Sequence, residues 1–235
     1  LITWEFPVII KWKMNLKGCK GRVLLARRIL AVVLCTAFLL PVAGGCTEAP
    51  QRYEMTYLSL FDTVVTIVLY AEGETEAQEM FRAVYDDLAR YDALFDIYEE
   101  HEGTANLKTV NDNAGKAPVA VEPELLSLLL FGKEVYALTE GRVNIAFGSV
   151  LTLWHDARTA GIADPDSAAL PERAALEQAA AHTDIEAVVL DEDAGTAYLA
   201  DPGLRLDVGA IGKGFAAQLA CDNARERGVT SMLLN

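Results

Sequence analysis

The hydrophobic positions of this chain follow two periods, which predict strands and helices in alternation. Residues 63–70 are rich in β-branched side chains, a composition typical of a strand. Over residues 74–91 the apolar side chains recur every three or four positions with acidic residues between them, which predicts an amphipathic helix. Two more helices are expected where a proline occupies the favoured first turn, at 123–138, ended by Gly141, and at 171–182.

The last part of the chain also predicts strands and a helix in succession. It predicts a hairpin with strands at 186–191 and 196–200, a strand at 204–208, a helix at 211–227 and a strand at 229–235. Residues 91–113 and 142–154 show no clear period and are expected to be mostly irregular, with a short helix around 94–98. Because strands and helices interleave without regular βαβ units, we expect an α+β fold.

The N-terminal segment has the organisation of an export signal. A basic region precedes an apolar run at 29–42 that is too short for a comfortable membrane span, and Ala43-Gly-Gly-Cys46 then resembles a lipobox. This pattern predicts that Cys46 is lipidated and that the protein is an exported, membrane-anchored lipoprotein, on the periplasmic or extracellular face of the cytoplasmic membrane. An ordinary signal peptide is the alternative. We therefore expect an upstream extension and signal at 1–45, a polar tether at 46–54 and the folded domain at 55–235.

Charge narrows the possible ligands. The net charge is −14, but residues 1–45 carry seven Lys/Arg and one acid, so the rest carries 13 Lys/Arg and 33 Asp/Glu. A body this acidic argues against nucleic-acid binding, which needs a basic face. It suits a site that recruits a divalent cation. Cys221 is expected to be a small buried side chain, and no disulfide framework is predicted.

A glycine-rich turn carries the most specific chemistry. Asp207-Val-Gly-Ala-Ile-Gly-Lys213-Gly places a carboxylate at a strand end, glycines in the turn and a lysine where a helix begins, which suits a phosphate-bearing ligand. A Walker A loop is excluded because it needs Gly at 207 and Ser or Thr at 214. A Rossmann fingerprint matches by letter but lacks a βαβ frame. A turn with no ligand is the remaining alternative.

Four segments in order resemble the ApbE family, the FAD:protein FMN transferases. They are Phe61-Asp-Thr-Val64, Leu94-Phe-Asp-Ile-Tyr98 followed by Asn111, Gly141-Arg-Val-Asn-Ile-Ala-Phe-Gly-Ser-Val-Leu-Thr-Leu-Trp154, and Asp207-Val-Gly-Ala-Ile-Gly-Lys-Gly-Phe-Ala-Ala217. The resemblance covers about residues 53–235. It implies a T-fold-like arrangement of mixed sheets with packed helices. It also implies that the chain, which stops inside a predicted strand, is incomplete at its C-terminus and lacks further metal-binding residues.

The resemblance also implies a reaction and its site. FMN would pass from FAD to a threonine or serine of a target flavoprotein, such as a subunit of a membrane electron-transfer complex, with Mg²⁺ present and AMP released. Asp207 and Lys213 would contact the flavin nucleotide, and the Ala210 carbonyl would ligate magnesium. The expected FAD contacts are completed by Phe61, Tyr98, Arg142, Val143 and Asn144.

Two departures from the family pattern and several open points remain. Asn144 stands where the family usually has Asp, and Ser149 where it usually has Pro. No catalytic base is identified. His101, His155 and His182 lack metal-ligand spacing and are interpreted as surface or capping residues. A non-catalytic FAD-binding lipoprotein and a solute-binding or structural lipoprotein are the alternative functions.

Overall fold

Over residues 49–235, the chain folds as two small antiparallel sheets with six helices packed against them. The structure is a computed structural model that describes residues 49–235; the signal, the proposed lipidation at Cys46 and the first part of the tether lie outside the described residues. The strands are β1 Gln51–Leu60, β2 Thr63–Ala71, β3 Val119–Ala120, β4 Val188–Asp191, β5 Thr196–Leu199 and β6 Met232–Leu234. The helices are α1 Glu74–Phe95, α2 Leu107–Asp112, α3 Pro123–Leu138, α4 Gly148–Ala163, α5 Arg173–Ala180 and α6 Gly212–Glu226. This mixed architecture confirms the α+β prediction.

The first sheet, in the order β1-β2-β6, forms one wall of the core. Successive side chains of a strand point to opposite faces, so Val65, Ile67 and Leu69 of β2 are all buried on the inner face. The long helix α1 contacts β1, β2 and α6. The Tyr91 hydroxyl of α1 lies 2.8 Å from Asn223 Nδ2 of α6, so a hydrogen bond ties the two helices together.

The second sheet has the order β3-β5-β4 and contains the predicted hairpin. Gly195 lies in its turn with a φ of 64°, a left-handed conformation that glycine adopts without steric cost. Val188, Ala197 and Leu199 bury the inner face of this hairpin in the same core. α3 contacts β4 and has the predicted bounds.

Two stretches expected to be irregular are helical. Residues 145–147 form a 3₁₀ turn that leads into α4, although 142–154 show no clear helical period. The reason is that only Gly148 and Val150 of α4 are buried, so its sequence carries little of the stripe that marks a packed helix. The short helix α2 is capped by Asn106, whose side chain accepts a hydrogen bond from the Thr109 N–H.

The predicted tether and one predicted strand also differ from the structure. β1 begins at Gln51, within the expected tether, because Arg52, Glu54 and Thr56 form the solvent face of a half-buried strand rather than a polar linker. Residues 204–208 are extended, with Leu204, Leu206 and Val208 buried, yet they join neither sheet. Their backbone groups bond to the Asn111 side chain and to residues 145–149 in place of a strand.

Over residues 49–235, no helix is both long enough and apolar enough to cross a bilayer.

Candidate functional site

A cleft with two lobes lies beside the glycine-rich turn. The first lobe has a volume of about 840 Å³ and lies between α2, the first half of α4 and residues 203–207. The second lobe, of about 700 Å³, lies between the β1–β2 turn, the end of α1 and the glycine-rich turn. Ile97, Tyr98, Arg158 and Asp207 line both lobes, and we call these four residues the junction.

The β1–β2 turn forms one wall of the second lobe. Phe61 and Asp62 have φ angles of 52° and 50°, a left-handed conformation that is uncommon outside glycine. Burial raises the pKa of the nearby Asp92 carboxyl, a hydrogen bond from the Phe61 backbone opposes that shift, and the negative charges of Asp96 and Asp62 add to it. The turn thus brings an aromatic ring and an acidic wall into the same lobe.

Tyr98 is positioned by the loop that follows α1. Asp96 Oδ1 accepts hydrogen bonds from the backbone N–H groups of Tyr98, at 2.7 Å, and Glu99, at 3.2 Å. His101 Nε2 lies 2.9 Å from the other Asp96 oxygen, Oδ2. Burial would raise the pKa of Asp96, but these hydrogen bonds hold it below its usual value. The loop is therefore fixed by an ionised carboxylate.

The Tyr98 ring stands at the junction beside α4. The His155 ring stacks on it with a centroid distance of 4.8 Å and an interplanar angle of 29°. Burial raises the pKa of the Tyr98 phenol, the negative charge of Asp207 raises it further, and the positive charge of Arg158 opposes both. The phenol, the carboxylate and the guanidinium are thus electrostatic neighbours.

Asp207 lies at the start of the glycine-rich turn. Its backbone N–H donates to the Ile145 carbonyl at 2.8 Å, and its Oδ1 accepts from the Gly209 N–H at 2.8 Å. The Val208 carbonyl accepts from the N–H groups of Ile211, at 2.9 Å, and Gly212, at 2.7 Å, where α6 begins. This tight turn places Lys213 in the second lobe, one residue into the helix.

Three groups hold the extended segment that leads to Asp207. The buried Asn111 side chain accepts from the Leu206 N–H at 2.7 Å and donates to the Leu206 carbonyl at 3.0 Å. The Gly148 N–H donates to the Arg205 carbonyl at 3.0 Å. The Ser149 hydroxyl accepts from the Arg205 N–H at 3.1 Å and donates to the Gly203 carbonyl at 2.8 Å. The Asn111 side chain and the first residues of α4 therefore provide the hydrogen bonds that a neighbouring strand would otherwise supply.

The structure brings four of the expected FAD contacts together in this cleft. Phe61 and Lys213 line the second lobe, and Tyr98 and Asp207 line both lobes. Ala210 is an exposed residue of the glycine-rich turn, and among residues 49–235 no backbone N–H bonds to its carbonyl oxygen. Ala210 lies outside the linings of both lobes, and a metal-ligand role for its carbonyl stays a prediction.

The other expected contacts lie outside the linings of the two lobes. They are Arg142, Val143 and Asn144, in the segment between α3 and the 3₁₀ turn. The Asn144 side chain accepts from the Ala146 N–H at 2.9 Å and donates to the Thr183 carbonyl at 2.9 Å, and the Val143 N–H donates to the Thr139 hydroxyl. A direct FAD contact for these three residues stays a prediction.

The cleft also contains residues that sequence reasoning missed. His155, His101 and Arg158 line it, although the two histidines were expected at the surface or in caps. His155 and Arg158 are three residues apart, and side chains at this spacing are neighbours on a helix. That spacing is the signal from which the pair could have been found, but only once 148–163 is recognised as helical.

The described part of the chain contains no cluster of three or more His, Cys, Asp or Glu side chains arranged to hold a metal ion. The donors near the glycine-rich turn are the Asp207 carboxylate and the Ala210 carbonyl, both oxygen ligands of the kind magnesium prefers. Since Mg²⁺ often binds through one or two protein groups together with water and phosphate oxygens, this set fits a metal shared with a phosphate ligand.

Comparison with known proteins gives one family. The model of the ApbE family matches residues 61–235. A FAD:protein FMN transferase of Klebsiella pneumoniae is 28% identical over 176 residues, 75% of this chain and 51% of the relative. One of Treponema pallidum is 35% identical over 195 residues, 80% of this chain and 50% of the relative. The chain spans about half the length of the curated relatives it matches.

Solved structures show the same fold. The ApbE protein of Thermotoga maritima has a TM-score of 0.66 and 24% identity, over 79% of this chain and 56% of that chain. The flavin transferase ApbE of Vibrio cholerae has a TM-score of 0.66 and 19% identity, over 79% of this chain and 57% of that chain. At such identities the likeness concerns architecture alone, and it agrees with the α+β arrangement described above.

Proposed function

Because this chain belongs to the ApbE family, we propose that the full-length protein transfers FMN from FAD to the hydroxyl of a threonine or serine on a target flavoprotein and releases AMP. The named relatives support flavin transfer as the general activity, since they are FAD:protein FMN transferases. FAD is then the substrate, and Mg²⁺ is the proposed cofactor.

The observation that carries this proposal is the convergence of Phe61, Tyr98, Asp207 and Lys213 on one two-lobed cleft. Each lobe falls within the size range of small-molecule sites. FAD has two ring systems joined through a pyrophosphate, so two lobes that share lining residues suit its shape. The junction holds Asp207, and the adjoining turn presents Lys213.

The reaction requires the protein to position its substrates and to neutralise the negative charge of the phosphates, more than to form a covalent bond with them. The acceptor hydroxyl oxygen would attack the phosphorus on the FMN side of the pyrophosphate. The bond from that phosphorus to the bridging oxygen would break, and AMP would leave with the bonding electron pair. The Lys213 ammonium would offset phosphate charge, and Tyr98 and Phe61 would hold the rings. The hydroxyl proton would pass to solvent water or to the departing AMP phosphate.

Magnesium would be held by the Ala210 carbonyl, with Asp207 beside it. When bound, it would supply positive charge to the phosphate oxygens. The acidity of the chain beyond residue 45, with 33 Asp/Glu against 13 Lys/Arg, supports a cation requirement, since a pyrophosphate brings further negative charge.

We also propose that Cys46 carries a lipid anchor and that the acceptor belongs to a membrane electron-transfer complex. An anchored enzyme would meet its acceptor at the membrane surface. The basic and apolar segments before Cys46 support export.

The experiment is an FMN-transfer assay with the full-length protein, FAD, Mg²⁺ and an acceptor flavoprotein that contains the target threonine, read by covalent flavin fluorescence in denaturing gels. We expect Asp207→Ala and Lys213→Ala each to lower the transfer rate at least about tenfold, the scale of one lost charge-assisted contact. Asp207→Asn retains an acceptor for the Gly209 N–H but removes the negative charge. It therefore tests whether transfer requires the charge or only the turn geometry. Lys116→Ala, which removes an exposed lysine outside both lobes, is the matched control.

The outcomes separate the candidate functions. Magnesium-dependent transfer that fails in Asp207→Ala and Lys213→Ala supports the transferase. FAD binding by the wild-type protein without transfer would instead identify a flavin-binding lipoprotein. Absence of FAD binding would leave a solute-binding or structural lipoprotein, and wild-type transfer rates in both variants would refute the site.

A further inference from the structure

We propose that Arg158 is a second cationic group for the pyrophosphate of the flavin nucleotide, and that His155 is the positioning residue for its guanidinium. The inference rests on the proposed function, because FAD is taken to be the ligand. Arg158 lies on α4, outside the glycine-rich turn that contains Lys213. It would therefore supply a second cation from a different element.

The position of Arg158 is the first argument. It is one of the four junction residues that line both lobes, together with Tyr98 and Asp207. A ligand with one ring system in each lobe would place its linker beside the four residues that line both lobes. In FAD that linker contains the pyrophosphate, so Arg158 lies where the ligand's negative charge would pass.

The charges of the cleft are the second argument. Acidic side chains line it, among them Asp62, Asp92, Asp96 and Asp207, so an anionic linker needs cations nearby. Lys108 is paired with Asp112, and the Arg205 guanidinium donates to the carbonyls of Pro202 and Leu204.

The other two cationic side chains that line the lobes are Arg158 and Lys213. Within residues 49–235, neither Arg158 nor Lys213 forms an ion pair with a carboxylate, although Arg52, Arg90, Arg173, Arg225 and Arg227 all do. A guanidinium without a carboxylate partner in an acidic cleft is available to an anionic ligand. Its planar fork also matches two phosphate oxygens at once, which a lysine cannot do.

The contact with His155 is the third argument. His155 Nδ1 lies 3.3 Å from Arg158 Nη2. A guanidinium can only donate hydrogen bonds, so this ring nitrogen is the acceptor in the contact, and the Tyr98 hydroxyl oxygen lies 3.4 Å from the same nitrogen. The same ring is stacked on Tyr98. His155 therefore has the geometry to fix the guanidinium relative to the junction.

The test of Arg158 compares a ligand that has the pyrophosphate with one that lacks it. Binding of FAD and of riboflavin to the full-length protein is measured by titration calorimetry in the presence of Mg²⁺. We expect Arg158→Ala to weaken FAD binding by about 10- to 100-fold and riboflavin binding by less than about twofold, because the lost interaction is a charge-assisted one with phosphate. Arg158→Lys should fall between the two. Arg173→Ala, at an exposed position of α5, is the matched control and should match wild type.

The test of His155 uses His155→Phe, which retains an aromatic ring against Tyr98 and removes the nitrogen acceptor. We expect FAD binding to weaken severalfold in this variant. In the double variant with Arg158→Ala the loss should be no greater than in Arg158→Ala alone, because His155 acts through Arg158. Independent, additive losses would show that His155 does not position the guanidinium.

Each remaining outcome decides between the proposals. If wild-type protein binds FAD and Arg158→Ala binds it equally well, the role of Arg158 is refuted while the proposed function stands. Equal losses of affinity for FAD and riboflavin would indicate that Arg158 contacts the flavin rings, and would also refute the inference. If wild-type protein binds FAD but transfers no FMN, the transferase fails while the binding test of Arg158 is still decisive. Absence of FAD binding by wild-type protein refutes both.

Discussion

At the scale of single residues, the candidate site combines side chains from one local turn with side chains that reach it from other elements. Asp207 and Lys213 stand six positions apart in the glycine-rich turn. Asn111 and Arg158 reach the same cleft from α2 and α4. Asn111 lies 95 positions from the Leu206 that it binds, and no local pattern encodes that contact.

Asn111 provides a prediction about how the site is held. Its amide satisfies both backbone groups of Leu206, and both residues are buried. Asn111→Ala would leave a buried N–H and a buried carbonyl without partners. Each unsatisfied group costs roughly 1–3 kcal/mol, so we expect the free energy of unfolding to fall by about 2–6 kcal/mol. Urea unfolding of the full-length variant, followed by circular dichroism, measures this change.

Asn113 offers the control for that experiment. It follows the end of α2, and its side chain donates to the Thr109 carbonyl of that helix alone. Asn113→Ala should therefore cost less than about 1 kcal/mol, the usual net contribution of one intramolecular hydrogen bond. Equal effects of the two substitutions would argue that Asn111 is no more than a surface residue of α2.

At the scale of elements, the amphipathic α1 and the proline-started α3 were predicted well, and elements formed by tertiary contacts were not. The helix predicted at 171–182 is shorter, because α5 begins at Arg173, after Pro171 and the N-cap Glu172. α1 has the expected stripe of buried residues and is one turn longer than predicted. α4 is largely exposed, so its sequence lacks that stripe. Residues 204–208 have the alternation of a strand, but the groups opposite them are the Asn111 amide and the start of α4.

The start of α4 gives a prediction for an element. A Cβ built on Gly148 would lie 2.5 Å from the Arg205 carbonyl oxygen and 2.9 Å from the Leu206 carbonyl carbon. These are backbone atoms of the segment that carries Asp207, so Gly148→Ala must push α4 and that segment apart. Overpacking of this kind costs about 1–3 kcal/mol. We expect thermal unfolding of the full-length protein to show that loss, together with weaker FAD binding.

Gly214 is the matched glycine for this comparison. It lies within α6, and a Cβ there would meet no atom within 4 Å. Replacing a helical glycine with alanine typically stabilises a protein by about 0.5–1 kcal/mol, because the unfolded chain loses freedom and the helix does not. Gly214→Ala should therefore shift the melting temperature upwards while Gly148→Ala shifts it downwards. A neutral Gly148→Ala would show that α4 is not packed tightly against residues 205–206.

At the scale of the whole molecule, the cleft depends on segments far apart in the chain. Its walls come from the β1–β2 turn, the ends of α1 and α2, the first half of α4 and the glycine-rich turn. The resemblance to a family could predict which motifs belong together, because it concerns their order. The two lobes and their shared junction form because segments up to about 150 positions apart in the chain pack together. Sequence patterns do not specify that packing.

The proposed membrane anchor also concerns the whole chain, and Cys46 makes it testable. Two or more acyl chains hold a protein on a bilayer, since each buried methylene contributes about 0.8 kcal/mol, whereas a single chain binds only marginally. We expect Cys46→Ser in the full-length protein to abolish labelling by a clickable fatty acid and to move the protein from the membrane fraction to the soluble fraction. Cys221→Ser alters a residue of α6 that is only partly buried, where full burial was expected, and it should leave both unchanged. A Cys46→Ser protein that is still labelled and membrane-bound would place the anchor elsewhere in the chain.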